Sequence, residues 1–162
     1  MTSEQLNMVD FLNQQKLSEA LTVKEVQIFL DYTTIVTFNR GEIIANIGEV
    51  GDALYFVIEG STSLFHEDNG EETEVGKGGP GELMGEMSFF DKEPRSVRIK
   101  AMENNTKLLK LSKIMYSRLR IEHPFIAVNL LEHAIVSLDH FFRRISSDVA
   151  TYSHYLYGKG KH

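Results

Sequence analysis

Gly81-Glu82-Leu83-Met84-Gly85-Glu86-Met87-Ser88-Phe89-Phe90-Asp91-Lys92-Glu93-Pro94-Arg95-Ser96 is the stretch on which the reading of this chain turns. It supplies a glycine turn, a carboxylate at Glu86 and a guanidinium at Arg95. Glu86 can accept a hydrogen bond from a hydroxyl. Arg95 can fork onto the oxygens of an anion through parallel, charge-assisted bonds. Gly85 lets backbone come close to a ligand that a side chain would block. If residues 86–90 open a helical turn, its unpaired N–H groups aim at the same anion. Together these groups suit a small ligand carrying a ribose-type diol and one phosphate. A solvated Glu–Arg surface pair is the plain alternative, and such pairs contribute little. The glycines around the pair favour a site.

Outward from this stretch, residues 33–112 read as short strands. Ile35–Phe38, Glu42–Ile44, Leu54–Ile58 and Ser63–Phe65 are rich in β-branched and aromatic residues, punctuated by Gly41, Gly48, Gly51 and Gly60. Asp68-Asn69-Gly70 predicts a tight hairpin, because a primed turn needs positive φ. Val97, Ile99 and Ala101 alternate with Arg98 and Lys100 as in a half-buried strand, and Lys107–Leu111 closes the set. Many short strands at close intervals predict a small barrel or roll. Gly76-Lys77-Gly78-Gly79-Pro80-Gly81 fits a dinucleotide-type glycine pattern, but no βαβ unit surrounds it. Asn104-Asn105-Thr106 reads as a turn.

The segment 81–97 closely resembles the phosphate-binding cassette of the cyclic-nucleotide-binding domain family. Gly85-Glu86-Met87-Ser88-Phe89 and Pro94-Arg95-Ser96-Val97 carry the resemblance, with Val97 where the family usually has Ala. Arg40-Gly41-Glu42-Ile43-Ile44 and the run Gly48 to Gly60 look like the family's β-roll signature. The resemblance implies Glu86 on a ribose 2′-OH, Arg95 on a cyclic phosphate, and Ser96 adding a phosphate contact. Gly85, Met87 and Ser88 belong to the same ligand-binding set. It also implies an α+β, mainly β architecture: an antiparallel β-roll or jelly roll flanked by N-terminal helices and a long C-terminal dimerisation helix. The expected layout is one domain over 1–162, with a helical segment at 1–32, the roll at 33–111 and helices at 112–157.

In the first segment, residues 4–31 read as helical, with Thr22-Val23-Lys24-Glu25 as a capping box. In the last, Ser112 caps a short helix that ends near His123, and a second helix runs from about Pro124 to Tyr157. Val128, Leu131, Ile135, Leu138, Phe142, Ile145, Val149, Tyr152 and Leu156 repeat at alternating steps of three and four. That heptad seam predicts a homodimer through residues 128–156. Ala127, Leu130, Ala134 and Phe141 form a second apolar set that can pack on the roll. Phe141 and Phe142 fall where bacterial cyclic-AMP receptors place small hydroxyl residues on the base, so the resemblance implies base contact without hydroxyls. Plain core packing suits both rings equally. His133, His140 and His154 take the f positions and are expected on the solvated outer face.

Composition bounds the function. The net charge is −6 and there is no cysteine, which argues against a nucleic-acid binder and removes disulfide and iron–sulfur chemistry. No apolar run reaches membrane-spanning length and no signal-peptide pattern opens the chain, so a cytoplasmic protein without DNA or membrane partners is expected. Gly158–His162 follow the long helix, so no helix-turn-helix module is expected. No nucleophile–base constellation stands out. The expectation is a homodimeric, non-catalytic sensor of cyclic AMP, with no cofactor or metal, that signals to an unknown downstream partner. Cyclic GMP, a cyclic dinucleotide, haem or a degenerate-pocket scaffold are the alternatives.

Overall fold

A computed structural model describes residues 3–13 and 21–157, apart from a few side chains within the first and last helices. Two N-terminal helices, α1 (Ser3–Asn13) and α2 (Val23–Asp31), precede eight strands: β1 (Thr34–Phe38), β2 (Ile43–Ala45), β3 (Ala53–Glu59), β4 (Thr62–Asp68), β5 (Glu71–Gly78), β6 (Leu83–Met84), β7 (Arg98–Ala101) and β8 (Thr106–Ser112). A short helix, α3 (Glu86–Asp91), interrupts the strands, and α4 (Lys113–Glu122) and α5 (Pro124–Tyr157) follow them. The strands form two antiparallel sheets, ordered β1-β8-β3-β6 and β2-β7-β4-β5. This is the expected antiparallel roll flanked by helices.

The central strand β3 explains why its sequence is an unbroken apolar run rather than an alternation. Ala53, Tyr55 and Val57 point into a core shared with Ala45, Met84, Ile99 and Leu108. Leu54 and Phe56 point the other way, into a core shared with Val26, Phe29, Leu119, Ile126, Ala127 and Leu130 of the helices. A strand buried on both faces has no polar side to show. At about 25 cal/mol per Å² of apolar surface, each fully buried Leu or Phe contributes on the order of 1.5–3 kcal/mol.

Local signals behave as the sequence predicts. Asn69 (φ 51°) and Gly70 (φ 82°) join β4 to β5 in a two-residue turn with both φ positive. The Thr22 side chain accepts from the Glu25 N–H at 3.2 Å, and the Glu25 carboxylate accepts from the Thr22 N–H at 2.9 Å. Residues 14–20 of the expected N-terminal helical segment lie outside the described residues. Ser112 caps α4 by accepting from the Met115 N–H at 3.3 Å. Pro124, at the first position of α5, separates α4 from α5, and Tyr32, which caps the C-terminus of α2, donates to Glu122 at that corner. The acidic strand β5, absent from the sequence reading, forms because the hairpin turn lays it against β4. Gly76 and Gly78 lie within it and Gly79–Gly81 form the turn that follows, so the first half of that glycine run is strand.

The N-terminal half of α5 packs Ile126, Ala127, Leu130 and Ala134 against the roll. The heptad positions Val128, Ile135, Val149, Tyr152 and Leu156 stay exposed. Among the described residues, no helix is long and apolar enough to cross a membrane.

Candidate functional site

β6 ends at Met84, and Gly85 turns the chain into α3 with φ 88°. That conformation is open to glycine and strained for other residues. The turn presents Glu86 as the first residue of α3, facing a cavity of about 800 Å³ between the roll and α5. The volume lies within the range of small-molecule sites. Gly85, Glu86, Met87, Ser88, Arg95 and Ser96 all line this cavity. The side chains of Phe141 and Phe142 lie outside the described residues.

Arg95 is clamped by its backbone. Its N–H donates to Glu49 O at 2.8 Å, its carbonyl accepts from the Gly48 N–H at 2.8 Å, and Pro94 bridges to Val50. The residue is 8% exposed, yet among the described residues its side chain makes a single 3.5 Å hydrogen bond, to the Gly85 carbonyl. A guanidinium carries five N–H donors. Among the described residues no buried side-chain nitrogen or oxygen lacks a partner, so the unspent donors remain reachable from the cavity. A cation buried with its donors unspent is costly unless an anion arrives.

Glu86 is 9% exposed. Burial raises its carboxyl above the usual carboxylate range. Its own backbone N–H, the Ser137 hydroxyl and the Arg95 charge pull the other way. Ser137 Oγ, on α5, donates to Glu86 Oε1 at 3.2 Å. Ser88 lines the cavity, but its hydroxyl serves the scaffold. It accepts from the Gly51 N–H at 2.7 Å and donates to Glu93 O at 2.6 Å, which pins α3 to the loop beneath it. Met87 (45% exposed) and Ser96 are open to the ligand side. Val97 is half-buried at the wall.

One expectation about α5 is corrected, and one residue goes beyond it. A hydroxyl from the long helix reaches the cavity at Ser137, on Glu86. His133 is not on a solvated outer face: it is half-buried, lines the cavity and packs on Phe56 with ring centroids 6.1 Å apart. The cause is one of facing. The a positions Val128 and Ile135 turn away from the roll, so the side of the helix where f and c positions stand meets it. Ile126, one heptad before His133, and Leu130, one heptad before Ser137, are both buried and carry that signal in the sequence. His154 is exposed, as expected, and the His140 side chain lies outside the described residues. Leu64, Lys77 and Val136 also line the cavity and were not expected at the site, and Leu138, expected in the dimer seam, lines it too. Among the described residues no cluster of His, Asp or Glu could hold a metal ion.

A glycine turn, a buried carboxylate and a cavity-facing guanidinium on a β-roll suit a small anionic ligand. Residues 35–121 match the cyclic nucleotide-binding domain family, and the chain belongs to it. It is 37% identical over 115 residues to the cyclic AMP receptor protein of Thermus thermophilus, covering 70% of this chain and 53% of that protein. The chain thus spans about half the length of that relative. The crystal structure of the Thermus thermophilus catabolite activator protein superposes with a TM-score of 0.71 at 32% identity, over 86% of this chain and 65% of that one. A cyclic nucleotide-binding domain from Methylobacillus flagellatus gives 0.79 at 23% identity, over 91% and 83%, and attests to the fold.

Proposed function

We propose that this chain is a non-catalytic sensor that binds cyclic AMP in the cavity between the roll and α5. The observation that carries the reading is Arg95: a buried guanidinium, held by its backbone, whose donors are largely unspent and open to a cavity that Glu86 shares. The cyclic phosphate neutralises Arg95, and the sugar hydroxyl donates to Glu86. The base extends toward the α5 wall formed by His133 and Val136. The similarity to a cyclic AMP receptor protein favours adenine over guanine.

The same reading includes a homodimer through α5. The support is the exposed apolar seam of Val128, Ile135, Val149, Tyr152 and Leu156, which gains burial only against another surface. Ligand contacts reach α5 directly through the cavity wall, so a ligand that fits one helix position better than another shifts the helix and whatever partner reads it.

Isothermal calorimetry with cyclic AMP and cyclic GMP tests the assignment, with Arg95→Ala alongside. The expected result is micromolar or tighter binding, preferring cyclic AMP, that the variant weakens by about 3–5 kcal/mol. A loss below tenfold in the variant removes Arg95 as the phosphate ligand. Absence of binding to both nucleotides in the unsubstituted protein overturns the sensor reading.

A further inference from the structure

Ser137 reaches Glu86 across the cavity from a position 51 residues later in the chain. Both residues line the cavity. A buried carboxylate needs donors, and here its own N–H and the Ser137 hydroxyl supply them. At 9% exposure, little of Glu86 is left for an incoming hydroxyl. A ligand that brings a hydroxyl to this carboxylate therefore meets a group already in place.

We propose that Ser137 is a placeholder: in the empty site it donates the hydrogen bond that the ligand's sugar hydroxyl donates in the filled one. The inference rests on the cyclic-nucleotide reading of the cavity and adds a determinant of sugar specificity to it. Binding of a ribose then exchanges one hydrogen bond for another, so the 2′-hydroxyl adds little net affinity. The exchange also frees α5 from its tie to α3. A ligand without the 2′-hydroxyl leaves the Ser137–Glu86 bond intact.

The test compares cyclic AMP with its 2′-deoxy analogue by calorimetry, in the unsubstituted protein, Ser137→Ala and Ser137→Thr. Alanine is the better helix former, so the first variant keeps α5. With the placeholder gone, the empty site leaves Glu86 short of a donor and only the ribose restores it. Ser137→Ala should therefore raise the preference for cyclic AMP over the deoxy analogue about fivefold or more, by tightening cyclic AMP and leaving the analogue unmoved. Ser137→Thr, which keeps a hydroxyl, should hold the preference near its original value. A preference that stays the same or falls in Ser137→Ala overturns the placeholder and leaves the nucleotide reading standing. An unsubstituted protein that binds neither nucleotide overturns both.

Discussion

A Cβ placed on Gly85 would lie 3.3 Å from both terminal nitrogens of Arg95, so the turn glycine and the guanidinium share one space. Gly85 serves twice over: its φ of 88° turns β6 into α3, and its missing side chain leaves room for the arginine head. Gly85→Ala should cost about 1–2 kcal/mol through the left-handed backbone alone, read as a lower Tm. It should also weaken cyclic-nucleotide binding by displacing the guanidinium. An alanine variant with unchanged Tm and affinity would show that this turn does not position Arg95.

Arg95→Ala should separate binding from stability. Among the described residues this buried cation makes one long hydrogen bond, so its removal relieves a desolvation cost. The ligand-free Tm of the variant should therefore equal or exceed that of the unsubstituted protein, while nucleotide affinity collapses. A marked fall in ligand-free Tm would mean that Arg95 holds the roll together, contrary to its sparse bonding.

Glu86 sets a pH dependence with a definite sign. Its carboxyl lies above the ordinary carboxylate range in the folded chain, chiefly through burial. The folded state thus binds the proton more tightly than the unfolded state. Its contribution to stability is full below the unfolded value and is lost as pH rises through the raised folded value. Glu86→Gln should flatten this part of the stability–pH curve and raise the ligand-free stability near neutral pH, measured by urea unfolding from pH 4 upward. A curve that keeps its slope in the variant would assign the dependence to another group.

The α5 seam predicts an assembly. Ile135 is 66% exposed and stands at an a position. Ile135→Glu places a charge in the seam and should convert a dimer to a monomer in sedimentation velocity, while the Tm of the roll changes little at low protein concentration. A dimer that survives the substitution would place the interface elsewhere.

The legible parts of this protein are those whose cause is short-range. Asn69-Gly70 announces its turn because both φ values are positive, and Thr22 with Glu25 announces a helix start because the two bonds span three residues. The continuous apolar run of β3 was readable as strand, although the sequence did not say which residue faced which core. β5 was missed because Glu71-Glu72-Thr73-Glu74 lacks any apolar period and is held as a strand by its pairing with β4. The six residues from Gly85 to Ser96 come together at one cavity because they sit within twelve positions of each other around a glycine turn.

The turns, the caps and the span of α5 are written in the sequence, since each depends on backbone freedom or spacing within a few residues. Tertiary structure alone decided that Ser137 meets Glu86, that His133 lies over Phe56, and that Ser88 spends its hydroxyl on Gly51 and Glu93. A heptad says that a helix has an apolar seam. Which way that seam turns depends on how Ile126, Ala127, Leu130 and Ala134 dock on the sheet, and only the packed core sets that rotation.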